Sequence, residues 1–210
     1  MKINNKTIGF SALAIILILV GKYVYDMNIN HNFEIITAGK VYKSGMIPPN
    51  EIESYVKKYK IKSIVDLRMP GTNDLVLNPE KPGELQAERE AVAKIKDVNY
   101  FSNPSDQIPT NKNIEVFTKI MDNKANYPVL IHCYHGTGRA ELYSAIYRIE
   151  YENFTNEDAR KGVRTLIKWS SFDDGTPKGN YLKAYKTRKQ LIREKSNKGT
   201  GFGINSRSQT

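Results

Sequence analysis

The stretch that decides the fold is residues 129–141, VLIHCYHGTGRAE. It begins with three apolar residues, which predict a short strand buried at the centre of a sheet that is covered on both faces. A turn containing two glycines follows, and then an amphipathic helix over residues 139–151. The first backbone N–H groups of such a helix have no intrahelical partner and carry partial positive charge. The turn therefore predicts an anion site that can hold a phosphate group.

Cys133 stands at the start of this turn and is the one cysteine in the 210-residue chain, so it forms no intramolecular disulfide. Inward N–H groups and the nearby Arg139 favour the thiolate, which is a nucleophile for a phosphate monoester. Gly136 and Gly138 let the backbone curl tightly, and the Arg139 guanidinium spans two phosphate oxygens. A buried, inert thiol is the alternative for Cys133. The nucleotide-binding pattern GxxxxGK[ST] does not occur.

The spacing Cys-x5-Arg, preceded by His132 and with glycine at the third following position, resembles the signature of the protein tyrosine phosphatase superfamily. The chain is most similar to its dual-specificity branch, also at residues 41–45, 64–68 and 100–109. The resemblance covers about residues 33–194. It implies an α/β fold with a central, mostly parallel sheet flanked by helices, and hydrolysis of phosphate monoesters through a phosphocysteine. No cofactor and no metal are expected, and no His/Cys cluster has zinc-ligand spacing.

The resemblance assigns catalysis to Cys133 and Arg139 and implies a proton donor on an upstream loop. Asp106 is the only acid in residues 103–109, between a predicted strand and helix, and is the predicted general acid and later base. An ordinary turn aspartate is the alternative. Asp173 and Asp174 are the reserve choice, and Asp122, on a predicted helix, is a poor one. The residues predicted to bind phosphate or substrate are His132, Tyr134, His135, Gly136, Thr137, Gly138 and Arg139.

Two histidines flank the cysteine, and each has two interpretations. The resemblance implies that His132 hydrogen-bonds within the loop and tunes the thiolate, but a purely structural histidine is the alternative. His135 lies on the variable lip of the loop, where it either contacts substrate or faces water.

One position departs from the family pattern. The family usually has Ser or Thr after the arginine, and its hydroxyl helps stabilise the leaving thiolate during hydrolysis. This chain has Ala140, followed by Glu141 where a small residue is common. We therefore expect slower breakdown of the phosphoenzyme, or help from another group. A catalytically weak, membrane-tethered module that binds phosphate is the second hypothesis.

The N-terminus predicts attachment to a membrane. A short basic segment, residues 1–7, precedes the apolar residues 8–25, which are long enough to span a bilayer. We interpret them as an uncleaved signal anchor, with a cleaved signal peptide as the alternative. Lys2 and Lys6 outweigh Lys22 on the other flank, which favours a cytoplasmic N-terminus and an extracytoplasmic, periplasmic domain in a bacterium.

Alternating strands and helices predict one α/β domain over residues 33–194, followed by a disordered tail, 195–210. Thr110 is the predicted N-cap of one helix. The predicted strands are 35–36, 40–44 (both at the sheet edge), 61–67, 98–101 and 129–131, and the predicted helices begin near residues 50, 84, 110, 139, 156 and 181.

The chain carries 32 Lys and Arg against 22 Asp and Glu, a formal charge of +10. Such an excess attracts anionic partners, including phosphorylated proteins and phospholipid or glycolipid headgroups. A solvated basic surface that only keeps the protein soluble is the alternative. No basic run is interleaved with aromatic residues, so nucleic acid is not an expected partner. The expected partners are a phosphorylated substrate and a membrane, and no oligomeric state is predicted.

Overall fold

The computed structural model describes residues 5–71, 76, 78–163 and 171–200. The strands are β1 Glu34–Thr37, β2 Val41–Ser44, β3 Ser63–Asp66, β4 Asn99–Ser102 and β5 Val129–His132. The helices are α1 Asn5–Asn28, α2 Ile52–Tyr59, α3 Pro82–Ala93, α4 Asn111–Asp122, α5 Arg139–Tyr151, α6 Asn156–Gly162, α7 Pro177–Ala184 and α8 Arg188–Thr200.

The strands form a five-stranded sheet in the order β1-β2-β5-β3-β4. β1 is antiparallel to β2, and the other pairs are parallel. This arrangement confirms the predicted α/β class. Ser44 and Asp66 both pair in register with His132, so three parallel strands end beside one another at one edge of the sheet. Ligand sites of parallel sheets form at this carboxyl edge, and here it carries the turn after β5.

One predicted sheet position was wrong. Residues 40–44 were expected at the edge, but β2 lies inside the sheet between β1 and β5, and its four residues are buried. The sequence gives no sign of this interior position, because lysine is rarely fully buried unless it is paired. In the folded chain Lys43 is buried and ion-paired, so the strand is interior despite its charge.

Local sequence signals explain the element boundaries near the site. Thr110 accepts a hydrogen bond from the Asn113 N–H at 3.2 Å, and Asn113 Oδ1 accepts one from the Thr110 N–H at 3.1 Å. This reciprocal capping satisfies the first N–H groups of α4 and confirms the predicted cap. Pro82 begins α3, where its fixed φ suits the first helical turn.

Two predicted boundaries differ near the C-terminus. The helix expected over residues 181–194 is divided into α7 and α8, which are separated by residues 185–187. α8 continues to Thr200, so residues 195–200 of the expected disordered tail are helical. The remaining tail, 201–210, and the continuation of the helix from Asn156 towards Trp169 lie outside the described residues.

The chain divides into two compact units, Met1–Glu141 and Leu142–Thr210. The first contains the sheet, and its core cluster joins α2 to the sheet. Phe33 is buried in this cluster and stacks on Tyr59, with ring centroids 4.2 Å apart, while its ring lies 5.2 Å from Tyr55 and 5.5 Å from Tyr42. These aromatic contacts fix the chain where it leaves α1.

α1 is apolar and exposed along its length. Its residues Ile8–Asp26 form one span long and apolar enough to cross a membrane, and none of that span is buried in the protein. Phe10 is 74 % exposed and Ile18 69 % exposed. By length and composition this helix could cross a membrane, and a signal sequence near the N-terminus has the same properties.

Candidate active site

Cys133 is the first residue of the turn between β5 and α5. Its side chain is buried, and the Gly136 N–H donates a hydrogen bond to Sγ at 3.3 Å. The Cys133 N–H donates to the Ser44 carbonyl at the end of β2, 3.4 Å away. The thiol therefore faces a backbone donor, as the sequence predicted for a phosphate loop.

The curl of this turn depends on glycine. Gly136 has a φ of +77°, in the left-handed region that glycine enters without strain. A Cβ at this position would also lie 2.4 Å from the Gly45 nitrogen and 2.7 Å from the Ser44 carbonyl carbon. The loop is therefore packed directly against the backbone that follows β2, with no space for a side chain.

Three successive carbonyls of the loop accept hydrogen bonds from the surrounding protein. The Tyr134 carbonyl accepts from the Met46 N–H at 2.8 Å. The His135 carbonyl accepts from Asn32 Nδ2 at 2.7 Å, and the Gly136 carbonyl accepts from Lys43 Nζ at 3.2 Å. Each donor comes from a different position between α1 and α2, so this part of the chain encloses the loop from outside.

Lys43 joins the loop to the start of α5. Its ammonium is 2.6 Å from Glu141 Oε1 and 2.9 Å from Glu34 Oε2. Burial alone would lower the pKa of Lys43, but the two carboxylates outweigh it and raise that pKa. Glu141, which departs from the family pattern, is thus the main partner of a buried cation that also bonds the loop.

Arg139 is held by a carboxylate that the sequence analysis missed. Its Nη1 and Nη2 donate to the two oxygens of Glu80 at 2.7 Å and 3.1 Å, and Nη1 also donates to the Leu67 carbonyl at 3.0 Å. Both side chains are buried, and Glu80 further accepts from the Met69 N–H at 2.7 Å. The bidentate pair fixes the plane of the guanidinium beside the loop. Glu80 was missed because it lies in a Gly-, Pro- and Asn-rich segment that reads only as a loop.

A second buried ionic cluster lies behind His132. Arg68 donates to Asp66 through Nε at 2.9 Å and Nη2 at 3.0 Å, and to Glu88 Oε2 at 2.8 Å. The Tyr100 hydroxyl also donates to Asp66. His132 Nε2 lies 2.9 Å from Glu88 Oε1 and 3.7 Å from Asp66 Oδ1, without hydrogen-bond alignment. His132, which precedes Cys133, therefore lies beside the buried carboxyl groups of Asp66 and Glu88.

The charges of this cluster stabilise one another. Burial would raise the pKa of Asp66, but His132 and the hydrogen-bonded Arg68 lower it to about 2. The carboxylates in turn raise the pKa of Arg68 despite its burial. Asp66, Glu88 and His132 offer ligand atoms within 4.8 Å of one another, close enough for a cation. Arg68 already donates to both carboxylates and supplies positive charge there.

Asp106 lies on a loop that reaches the arginine, with its own side chain exposed. The preceding Ser105 accepts a hydrogen bond at its carbonyl from Arg139 Nη1 at 3.4 Å and donates its N–H to the Leu67 carbonyl at 3.2 Å. Gln107 donates to Asn78 Oδ1 at 3.0 Å. The structure thus brings the backbone of this loop next to Arg139, and the role of Asp106 remains a prediction.

The reserve aspartates lie in the second unit. Asp174 is paired there with Lys183 at 2.9 Å and Arg160 at 3.5 Å. The hydrogen bond from Lys183 and the charge of Arg160 lower the pKa of Asp174. A carboxylate held in two ion pairs is a poor proton donor near neutral pH, which argues against Asp174 as the general acid.

The lip of the loop is formed by Tyr134, His135 and Thr137. His135 is exposed, and its ring lies edge-on to Tyr134 with centroids 4.8 Å apart. Partial burial, and then the charge of Arg139, lower the pKa of His135. The imidazole is therefore neutral at physiological pH and is a hydrogen-bonding group rather than a fixed charge.

Comparisons with known proteins agree with this geometry. A family model described as DSP-PTPase phosphatase fused to NAD+ kinase matches residues 24–174. No curated protein matches the chain in sequence.

Among solved structures, the chain is similar to TpbA from P. aeruginosa, with 18% identity and a TM-score of 0.52, covering 75% of this chain and 86% of TpbA. It is similar to the catalytic core of the PP-IP phosphatase SIW14 from S. cerevisiae, with 16% identity and a TM-score of 0.51, covering 81% and 94%. A mutant form of Tk-PTP gives 20% identity and a TM-score of 0.53, covering 78% and 97%. At these identities the likeness establishes the fold.

Proposed function

We propose that this chain, which belongs to the DSP-PTPase phosphatase family and is a phosphoric monoester hydrolase, works through a phosphocysteine formed on Cys133. The observation that carries the proposal is the Gly136 N–H directed at Cys133 Sγ, in a loop that ends at the buried, carboxylate-held Arg139. A nucleophile, oriented amides and a fixed guanidinium are what transfer of a phosphoryl group requires.

The reaction has two steps. The Cys133 thiolate attacks phosphorus, the S–P bond forms, and the P–O ester bond breaks as Asp106 protonates the leaving oxygen. Water then attacks the phosphocysteine while Asp106 takes its proton, the S–P bond breaks, and inorganic phosphate leaves with the thiolate restored. The loop N–H groups and Arg139 stabilise the negative charge on the phosphoryl oxygens in both steps.

Ala140 bears on the second step. The side chain is fully buried and carries no hydroxyl for the departing thiolate. We expect the phosphocysteine to accumulate, giving a burst of released alcohol followed by a slower steady rate. Ala140→Ser is expected to raise the steady rate and reduce the burst, as measured by rapid-mixing kinetics on a chromogenic phosphate ester. An unchanged steady rate in this variant would mean that another group already assists.

The substrate is a phosphoprotein or a membrane phospholipid or glycolipid phosphate, and the position of α1 favours the lipid. The span Ile8–Asp26 has 19 residues, about 28 Å of helix, which matches the hydrocarbon core of a bilayer. A cavity of about 340 Å³ between the end of α1 and the loop is lined by Asn28, His31, Asn32, Tyr134 and His135, among others. If the span crosses a bilayer, this cavity lies at headgroup depth, on the extracytoplasmic face if the N-terminus is cytoplasmic.

The test uses the full chain reconstituted in phosphatidylcholine vesicles. Wild type and Cys133→Ser are compared on a chromogenic phosphate ester, a phosphotyrosine peptide, and vesicles containing a lipid with a terminal phosphate monoester. Vanadate-sensitive phosphate release that disappears in Cys133→Ser supports the enzyme. Preferential release from the lipid supports the lipid substrate, and preferential release from the peptide refutes it. Tight phosphate binding without release from any substrate would favour the phosphate-binding module.

A further inference from the structure

The peptide between His135 and Gly136 is held from both sides. On one side, Asn32 Nδ2 donates to the His135 carbonyl at 2.7 Å. On the other, the Gly136 N–H donates to Cys133 Sγ at 3.3 Å. The peptide is planar and trans, so its C=O and N–H point in opposite directions. A donor that fixes the carbonyl outward therefore also fixes the N–H inward, towards the nucleophile.

The bond from Asn32 has an electronic as well as a geometric effect. A peptide whose oxygen accepts a hydrogen bond becomes a stronger donor at its N–H, because consecutive hydrogen bonds polarise one another. The N–H that becomes a stronger donor is that of Gly136, which is hydrogen-bonded to Cys133 Sγ. Asn32 thus acts on the thiolate through one peptide unit, without touching it.

The backbone around Asn32 is fixed at several points. The Asn32 N–H donates to the Asp26 carbonyl in the last turns of α1 at 2.7 Å, and the Gly45 N–H donates to the His31 carbonyl at 2.6 Å. Asn32 itself has a φ of +49°, a conformation that asparagine tolerates better than most residues. The buried Phe33 follows directly. This short connection presents the Asn32 amide to the loop in a defined orientation.

We propose that Asn32 is a positioning residue for Cys133. Its side chain orients the Gly136 N–H towards sulfur and makes that N–H a stronger donor to the thiolate. The reactivity of the nucleophile then depends on a residue six positions beyond the end of the apolar span at Asp26. This role goes beyond the proposed function and rests on it for its catalytic consequence. Its effect on the thiolate is measurable whether or not the chain turns over substrate.

The test compares three variants of the full chain in detergent. Asn32→Asp keeps the side-chain shape but replaces the donor with an acceptor, and Asn32→Gly removes the side chain while tolerating the positive φ without adding charge. Asn30→Asp is the matched control, since Asn30 Nδ2 donates to the Phe33 carbonyl at 3.0 Å in the same connection. The charged and titratable groups around the loop stay unchanged in all three variants: Lys43 with Glu141, Arg139 with Glu80, His132 with Asp66 and Glu88, and His135.

The first readout is the rate of Cys133 alkylation by iodoacetamide as a function of pH, and the second is kcat on a chromogenic ester. We expect both Asn32 variants to move the alkylation midpoint to higher pH and to lower kcat about 3- to 10-fold, the size of one lost hydrogen bond. Asn30→Asp should match wild type in both readouts. The melting temperature of each variant is measured alongside.

Two results would overturn the proposal. The first is a wild-type alkylation profile in Asn32→Asp and Asn32→Gly. The second is an equal change in the Asn30 control, which would show a general loosening of the connection. If the Asn32 variants shift the alkylation midpoint relative to wild type but wild type releases no phosphate, the proposed function fails while the positioning role of Asn32 stands.

Discussion

The loop between β5 and α5 is held in two different ways on its two sides. On the inner side, two buried carboxylates approach the residues at its ends: Glu80 bonds Arg139, and Glu88 lies beside His132. On the outer side, Lys43 and Asn32 donate to neutral loop carbonyls. The inner contacts join full charges that have lost their water, so removing one partner leaves a buried ion behind. The outer contacts join a donor to a peptide oxygen, which water replaces at modest cost.

This difference between buried ionic contacts and hydrogen bonds to neutral carbonyls predicts different roles for the two sides. We expect the inner carboxylates to determine whether the loop folds, and the outer donors to determine how its peptide groups are oriented. Substitutions inside should therefore reduce stability and activity together, whereas substitutions outside should reduce activity more than stability. Four substitutions test this division, in decreasing order of expected effect.

The largest effect is expected for Glu80→Gln. The buried Arg139 guanidinium would lose its carboxylate, and we expect the free energy of unfolding to fall by about 3 kcal/mol. Phosphate release should fall with it, because the guanidinium plane is no longer fixed. Urea unfolding in detergent and a chromogenic ester assay measure the two effects, with the exposed Glu90→Gln as control. A loss of activity at unchanged stability would contradict the structural role assigned to the inner side.

The next effect concerns pH and Asp66. Its pKa is lowered from an ordinary 3.8 to about 2, so the ionised carboxylate stabilises the folded state at any pH above its unfolded value. That contribution, about 2 kcal/mol, is lost as the pH falls from about 4 through 2. Asp66→Asn should remove this acid-dependent loss, as measured by unfolding at several pH values. Asp97→Asn, at an exposed aspartate, is the control. If Asp66→Asn loses as much stability between about pH 4 and 2 as wild type does, other carboxylates cause the acid-dependent loss.

A smaller effect on stability is expected for Lys43→Met on the outer side. The variant keeps most of the apolar side chain but loses the bond to the Gly136 carbonyl and the pairs with Glu141 and Glu34. Both carboxylates are partly exposed, so water solvates them once the lysine is gone. We therefore expect the free energy of unfolding to fall by about 1 kcal/mol and kcat by about tenfold. Lys40→Met, one exposed lysine along the same segment, serves as control. A fall in stability as large as that of Glu80→Gln would erase the distinction between the two sides.

The smallest effect is expected for Asp174→Asn in the second unit. Its pairs with Lys183 and Arg160 lie at the surface, where side-chain entropy and solvent offset the attraction. Neither the melting temperature nor phosphate release should change measurably. A clear loss of phosphate release would return Asp174 to the list of candidate proton donors.

Sequence patterns were sufficient for the centre of the fold. The strand 129–131, the turn after it and the helix from Arg139 were predicted because apolar runs, glycines and helical spacing are local signals. The Thr110 cap was predicted for the same reason. A further local signal was missed: Thr187 and Gln190 form a capping box that begins α8 and explains the break after α7.

The supporting residues of the site were not predictable from local patterns. Glu80 is 59 positions from Arg139, and only the folded chain brings them into contact. Lys43 was not predicted to support the site, because a single lysine in a strand carries no mark of its buried partners. Asp66 was noticed only as part of a resemblance, since its role depends on Arg68 and Tyr100 together. Buried ion pairs are tertiary features, and charge patterns along a chain do not reveal them.

The short connection from α1 to the loop also has a practical consequence for protein engineering. Phe33 looks like the natural first residue of a soluble version, because the sheet domain begins there. Such a truncation would remove Asn32 and leave the His135 carbonyl to bond with water. If Asn32 positions the Gly136 N–H as proposed, Cys133 would be less reactive in the shortened protein than in the full chain. A version that begins at Asp26 would keep the hydrogen bond from Asn32 and remove most of the apolar helix α1. The protein to express should therefore begin several residues before residue 33, where the sequence predicts that the catalytic domain starts.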